Sequence, residues 1–103
     1  MTFSIERCIG ADHPSLAGHF PGNPIVPGVV LLDEVLDTLR AWRGPCELAA
    51  VPSVKFSAVL RPGQVFTITL NTRGEREMSF ECRTQDARLI AKGQLNCVFH
   101  AAA

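Results

Sequence analysis

Hydrophobic and polar residues follow a helical period between residue 29 and about residue 43. At about 100° per residue, the large apolar side chains gather on one side of such a helix, and they are Leu31, Leu32, Val35, Leu36, Leu39 and Trp42. The opposite side carries Asp33, Glu34, Asp37, Thr38 and Arg40. Gly44 and Pro45 favour a helix end, because glycine suits the C-terminal cap and proline cannot continue a helix. The pattern predicts one amphipathic helix over residues 29–43.

A two-residue alternation predicts strands on both sides of this helix. Phe3 and Ile5 alternate with polar neighbours and indicate a short first strand. Four later segments alternate in the same way, and their inward residues are Val54, Phe56, Ala58 and Leu60, then Phe66, Ile68 and Leu70, then Met78, Phe80 and Cys82, and last Leu89, Ala91, Gly93, Leu95, Cys97 and Phe99. Pro62 and Gly63 predict a turn that joins the first two of these segments as consecutive antiparallel strands.

The order of these elements is strand, long loop, helix and four strands. This order predicts an α+β domain, in which an antiparallel sheet carries one helix on a face. No repeat, linker or low-complexity segment interrupts the pattern, so we expect a single domain over residues 1–103.

Composition and charge exclude several classes of function. Ten basic and ten acidic side chains give the 103 residues a formal charge of zero, without the clustered lysine and arginine that nucleic-acid binding requires. No stretch of about 18 unbroken apolar residues predicts a membrane span. The first residues mix acid and base and lack the basic start and apolar core of a secretory signal, so we expect a cytoplasmic protein.

The four cysteines are Cys8, Cys46, Cys82 and Cys97. They form no Cys-x-x-Cys pair, and no histidine lies near them at the spacing of zinc ligands. We therefore expect free buried thiols rather than disulfides, and we predict no metal site.

A loop rich in proline and glycine, residues 10–28, leads into the helix. The loop also contains large apolar residues, so we expect it to pack against the core. It ends in Pro27 and Gly28, and no Ser, Thr, Asp or Asn caps the helix. Water or loop carbonyls can satisfy the first amide groups. Alternatively, those groups can bind a carbonyl or an anion, because a helix start carries partial positive charge and Gly28 has no Cβ.

Two titratable side chains lie in or just after this loop. We expect the Gly18 and Phe20-Pro21 neighbours to hold His19 on a rigid backbone, and an imidazole moves protons near neutral pH. A lone loop histidine also fits a surface or structural role. Asp33 faces away from the apolar stripe, with Asp37 one turn later. This face is either solvated, with an Asp37–Arg40 ion pair, or covered by a second subunit. Under a second subunit two neighbouring carboxylates resist joint ionisation, so that one keeps a proton.

Residues 18–33, which read GHFPGNPIVPGVVLLD, resemble the active-site segment of the 3-hydroxyacyl-acyl carrier protein dehydratases of bacterial fatty acid synthesis. The match combines His-Phe-Pro, a Pro-x-x-Pro-Gly entry to the helix, and an acidic residue fourteen positions after the histidine. Residues 54–56 and 61–63 are similar to the strand and turn that follow the helix in that family. Short stand-alone chains of this type also resemble the accessory dehydratases of aryl polyene pigment pathways.

The resemblance implies the hotdog fold, in which an antiparallel sheet wraps one long central helix. It also implies a homodimer with shared active sites, which in some members assembles further. The implied reaction dehydrates a 3-hydroxyacyl thioester, carried on acyl carrier protein, to the trans-2-enoyl thioester without a metal or organic cofactor. His19 is the implied base, Asp33 from the partner subunit the acid, and the Gly28 amide the donor to the thioester carbonyl. The implied substrate-binding residues are Phe20, Pro27, Val29 and Val30.

The chain departs from this family in three ways. It is short, so the acyl tunnel is expected to be truncated or reshaped; Asp37 stands where the family often has glutamine; and the chain has no tyrosine to form an aromatic gate. Two other functions stay open, a hotdog thioesterase and a non-catalytic subunit that binds acyl carrier protein or a catalytic paralogue. The Pro-Gly-x-Pro run after His19 argues against the first, and the presence of both His19 and Asp33 argues against the second.

Overall fold

The computed structural model describes residues 1–10, 12 and 25–100. Its elements in chain order are β1 (Thr2–Cys8), α1 (Gly28–Arg43), β2 (Cys46–Phe56), β3 (Val65–Thr72), β4 (Glu77–Thr84) and β5 (Leu89–Phe99). The strands form one antiparallel sheet in the order β1-β3-β4-β5-β2. One face of this sheet packs against α1. The predicted α+β arrangement, an antiparallel sheet with one helix on a face, is therefore confirmed.

The face of the sheet toward α1 carries the hydrophobic core. Its fully buried side chains on the three central strands include Phe66, Ile68, Leu70, Met78, Phe80, Cys82, Leu95 and Cys97. Val35 and Leu39 of α1 are buried against them. Burial of one large apolar side chain stabilises the folded chain by about 1.5–3 kcal/mol. These buried positions confirm the inward residues that the alternation predicts for β3, β4 and the later part of β5.

Thr38 departs from the predicted polar face of α1. It is fully buried, and its hydroxyl donates to the Glu34 carbonyl at 2.8 Å. A threonine whose hydroxyl bonds within its own helix can fill apolar space, because no donor is left unsatisfied. Asp37 is exposed as predicted and lies 3.7 Å from Arg40. α1 has 16 residues, and the residues that the structure describes contain no helix that qualifies as a membrane span.

The bounds of β2 differ from the prediction. The alternation predicts a strand over residues 54–60, but β2 begins at Cys46 and ends at Phe56. After Phe56 the N–H groups of Ser57 and Ala58 both donate to the Ile90 carbonyl, at 2.7 and 3.3 Å, so the chain leaves the ladder. The alternation does not predict the first half of β2, because Pro52 and two register shifts break the two-residue period there.

The pairing of β2 also differs from the prediction. The turn at Pro62 and Gly63 exists, with Gly63 at a φ of 84° and the Gln64 N–H donating to the Arg61 carbonyl at 3.2 Å. However, β3 pairs with β1 and β4, whereas β2 pairs with β5 at the far edge. The predicted hairpin of the two consecutive strands is therefore wrong, because the turn leads across the sheet rather than back along the neighbouring strand.

All four cysteines are free, and Cys46, Cys82 and Cys97 are buried as predicted. Cys8 is exposed, contrary to the prediction, because the alternating residues of β1 place it on the side away from α1. Burial raises the pKa of Cys82 to about 12. Burial and the adjacent Cys46 thiol raise the pKa of Cys97 to about 11, so both thiols stay protonated near neutral pH. Among the described residues, no three His, Cys, Asp or Glu side chains form a group that could hold a metal ion.

Gly93 lies where β2 and β5 approach each other closely. A Cβ at this position would collide with the Ser53 carbonyl oxygen and lie 2.9 Å from Cε1 of Phe80. Gly93→Ala is therefore expected to lower the free energy of unfolding by about 1–3 kcal/mol, as overpacking does in cores. Urea denaturation at fixed protein concentration measures the change. Gly74→Ala is the control, since nothing lies within 4 Å of a Cβ there; equal midpoints for the two variants would contradict the prediction.

Candidate active site

The start of α1 has no side-chain cap, as the sequence predicts. Pro27 is the N-cap residue, and its carbonyl accepts from the N–H groups of Val30 at 3.0 Å and Leu31 at 3.3 Å. Among the described residues, the N–H groups of Gly28 and Val29 have no acceptor. These two donors lie at the positive end of the helix dipole. Their arrangement suits a carbonyl oxygen that gains negative charge.

Backbone and core contacts fix the position of this helix start. The Val26 N–H donates to the Leu60 carbonyl at 2.8 Å, and both side chains are buried. Val30 is buried in the same core. The segment that follows β2 is thereby joined to the residues that precede α1. The Gly28 amide is consequently held by packing on both sides of it along the chain.

Phe56, the last residue of β2, lies against Gly28. An ideal Cβ on Gly28 would lie 2.6 Å from Cζ of Phe56, 3.0 Å from Cε1 and 3.1 Å from Cε2. The tip of the ring therefore occupies the space beside the Gly28 Cα, and a side chain at residue 28 would displace the ring. The sequence motif included Phe56 only as a strand residue. Its place in the site could not be predicted, because it depends on the pairing of β2 with β5.

Asp33 lies on the side of α1 that faces away from the core. It is exposed, and so are Val29 one turn before it and Asp37 one turn after it. Residues four apart share a helix face, so these three side chains form one stripe. Val29 is 65% exposed, so the stripe combines one apolar and two acidic side chains at the surface of the single chain.

The helix start is formed by four consecutive residues that the sequence predicts for the site, namely Pro27, Gly28, Val29 and Val30. Val30 is buried while Val29 is exposed. His19 and Phe20 lie outside the described residues, so their roles stay predictions.

The edge strand β2 exposes apolar side chains although they point to the same side of the sheet as α1. Leu48 and Val54 are each 39% exposed, and Phe56 is 47% exposed. These residues lie opposite inward positions of β5, and the described part of the chain covers them only in part. β2 is also the last strand of the sheet, so one side of its backbone has no neighbouring strand here. Such an edge is typical of an interface between chains.

A cleft of about 450 Å³ opens on the face of the sheet away from α1. Lys55, Arg73 and Lys92 line it together with a single acidic residue, Glu81. Lys55 and Lys92 are direct partners across β2 and β5, and like charges in such a pair repel. Glu81 accepts from Nε of Arg83 at 3.1 Å. The cleft is therefore positively charged, which suits an acidic partner.

Comparison with known proteins points to one enzyme family. The family described as ApeI-like, ApeI dehydratase, matches residues 1–94. The 3-hydroxyacyl-[acyl-carrier-protein] dehydratase FabZ of Chloroflexus aggregans is 35% identical over 100 residues, which cover 89% of this chain and 67% of that protein. The chain spans between about half and two thirds of the length of the first curated relatives that it matches, all of them FabZ dehydratases.

Solved structures share the fold. The dehydratase heterocomplex ApeI:P from Xenorhabdus doucetiae has a TM-score of 0.83 at 21% identity, over 93% of this chain and 86% of that one. A 1,4-dihydroxy-2-naphthoyl-CoA thioesterase from Synechocystis has a TM-score of 0.70 at 17% identity, over 98% and 85%. At these identities the likeness shows the fold alone, which is the predicted hotdog fold. Because a thioesterase shares this fold, the assignment depends on the sequence match. On that match, the chain belongs to the ApeI-like dehydratase family.

Proposed function

We propose that this protein dehydrates a 3-hydroxyacyl thioester, carried on acyl carrier protein, to the trans-2-enoyl thioester in fatty acid or polyene-type biosynthesis. The observation that carries the proposal is the uncapped start of α1, where the Gly28 N–H has no acceptor among the described residues. Membership of a dehydratase family, and relatives named as 3-hydroxyacyl-[acyl-carrier-protein] dehydratases, support this reaction. The reaction requires no metal or organic cofactor.

Dehydration needs three groups around the thioester. A base must remove the proton from the carbon next to the carbonyl, and we assign this step to the His19 imidazole. A donor must stabilise the charge that develops on the carbonyl oxygen, and we assign this to the Gly28 N–H at the positive end of α1. An acid must protonate the leaving hydroxyl, and we assign this to the Asp33 carboxyl group. The carbon–oxygen bond then breaks, water leaves and the double bond forms.

We further propose that two copies of the chain share each active site. The unpaired edge of β2 and the exposed Leu48 and Val54 are features that a second copy would bury. Asp33 is exposed in the single chain, which fits an acid that serves a site completed by a second copy. Assembly beyond a dimer and a cytoplasmic location stay predictions.

The positively charged cleft supports a carrier protein as the source of the substrate. Lys55 lies next to Phe56 in β2 but points to the opposite face of the sheet, since successive strand residues alternate. A carrier bound at this cleft would therefore contact a residue that is next in sequence to the one beside Gly28. We propose that Lys55, Arg73 and Lys92 attract the acidic surface of the carrier.

A second candidate function follows from the Xenorhabdus neighbour, which is a heterocomplex. In this alternative the chain is active only in combination with a different subunit. Purified chain that binds acyl-pantetheine but forms no enoyl product would favour it. A hotdog thioesterase would instead release free thiol, so thiol release is measured in the same assay.

Removal of either proton-transferring group is expected to abolish most of the activity. His19→Ala removes the base and Asp33→Asn keeps the shape of the acid but cannot donate its proton, so each is expected to lower kcat by about 10²–10⁴-fold. The enoyl absorbance formed from a 3-hydroxyacyl-pantetheine thioester measures the rate. His100→Ala is the control, because this exposed histidine lies beside Glu47 at the end of β5. A wild-type rate in either site variant would remove that residue from the mechanism.

Mixing the two inactive variants tests the shared site. A mixed dimer of His19→Ala and Asp33→Asn holds one site with both groups intact and one site with neither. Equal mixing with subunit exchange is expected to restore about a quarter of the wild-type activity, because about half of the dimers are mixed. A site built within one chain predicts no recovery. Light scattering on the same samples verifies that dimers are present.

Charge reversal in the cleft is expected to weaken use of the carrier-linked substrate. Lys55→Glu and Lys92→Glu are each expected to raise the KM for acyl carrier protein substrates about fivefold at low salt, and less in high salt. The KM for the same acyl group on pantetheine is expected to change far less. Arg88→Glu is the control, because Arg88 is exposed but does not line the cleft. Equal changes for both substrates, or a fivefold change in the control, would contradict carrier binding at this cleft.

A further inference from the structure

Phe56 is an unusual residue for its position. It points to the side of the sheet that α1 covers, yet the ring is 47% exposed. The tip of the ring lies over Gly28, whose N–H is the proposed donor to the thioester carbonyl. The ring is therefore both next to the proposed reacting group and accessible from outside the single chain.

The other aromatic side chains of the described residues lie elsewhere. Phe3 stacks on Trp42 near the end of α1, with ring centroids 5.3 Å apart, and Phe99 lies near the same end beside Arg43. Phe66 and Phe80 are buried in the core. Within the described part of the chain, Phe56 is thus the aromatic ring at the start of α1.

The backbone of Phe56 is held by its pairing with β5, and this pairing does not involve the ring. Phe56 is paired with Ala91 of β5, and the next two N–H groups both donate to the Ile90 carbonyl. A change of side chain at residue 56 is therefore expected to alter the volume beside Gly28 and to leave the backbone pairing of β2 in place. A side chain that shapes a binding site is typically carried, as here, on a backbone that is held rigidly.

We propose that Phe56 determines substrate specificity by restricting the space around the carbon next to the thioester carbonyl. This inference rests on the proposed dehydration. A carbonyl oxygen that accepts from the Gly28 N–H lies about 2.9 Å from that nitrogen, and the nitrogen is about 1.5 Å from the Cα that the ring covers. The proposal places the groups bonded to the carbonyl carbon against the ring. An unbranched acyl chain is then expected to fit beside the ring, and a methyl branch next to the carbonyl is expected to collide with it.

The specificity test compares two substrates that differ by one methyl group. Phe56→Ala is expected to raise kcat/KM for 3-hydroxy-2-methylbutanoyl-pantetheine at least about tenfold relative to 3-hydroxybutanoyl-pantetheine, which is the discrimination one methyl group commonly gives. Phe56→Leu is expected to give an intermediate ratio. Val98→Ala is the control, because Val98 is an exposed apolar residue of β5 that is not a neighbour of Gly28. An unchanged ratio in Phe56→Ala, or the same change in Val98→Ala, would overturn the proposal.

A second experiment tests the contact without any activity. Gly28→Ala places a Cβ against the ring and is expected to lower the Tm, and the loss is expected to be smaller in the Phe56→Ala background. Additive shifts of Tm would overturn the contact on which the proposal depends. Failure of the proposed function is seen separately, as absence of enoyl product from wild-type protein with both substrates. Coupled Tm values with an unchanged substrate ratio would show a packing role alone and overturn the specificity role.

Discussion

The close approach of β2 to β5 at Gly93 is the constraint on which the candidate site depends. Only a residue without a Cβ lets the Ser53 carbonyl and the Phe80 ring lie so near this position. With β2 held there, Phe56 falls opposite Ala91, and its ring extends to the start of α1. Gly93, in the middle of β5, therefore helps to position the Phe56 ring at the start of α1.

Backbone hydrogen bonds also connect the end of β2 to the segment that carries the Gly28 amide. After β2 the chain bonds to the Ile90 carbonyl and then passes to Leu60, whose carbonyl accepts from Val26 just before α1. These hydrogen bonds tie the helix start to the end of β2. A capping Ser, Thr, Asn or Asp in place of Pro27 would stabilise the helix by about 0.5–2 kcal/mol. Without such a cap the first N–H groups of α1 can donate to a ligand. The helix is therefore less stable at the point where the proposed chemistry needs a free N–H.

The sequence predicts the parts of the fold that depend on local periodicity. The helix, its end at Gly44, and the inward residues of β3 and β4 follow directly from the spacing of apolar side chains. The sequence does not predict the burial of Thr38, because a hydroxyl satisfied within its own helix behaves like an apolar group and no periodicity reveals that bond. It does not predict the bounds of β2, because Pro52 and the register shifts interrupt the alternation.

The candidate site also contains one residue that the sequence predicts and one that it does not. Gly28 was predictable, because an uncapped helix start after Pro27 is a local feature of the sequence. Phe56 was not, because residues 28 and 56 meet only through the long-range pairing of β2 with β5. Strand order is decided by contacts across the sheet. A short turn such as that at Gly63 does not specify which strands will pair with the strand that follows it.

β2 therefore has two roles that cannot change independently. One side of its backbone pairs with β5 and fixes Phe56 beside Gly28, while the other side is an open edge with exposed Leu48 and Val54. A second copy that pairs along this edge would also rest against the strand that carries Phe56. In this arrangement, association of two chains and the shape of the substrate site are set by a single strand.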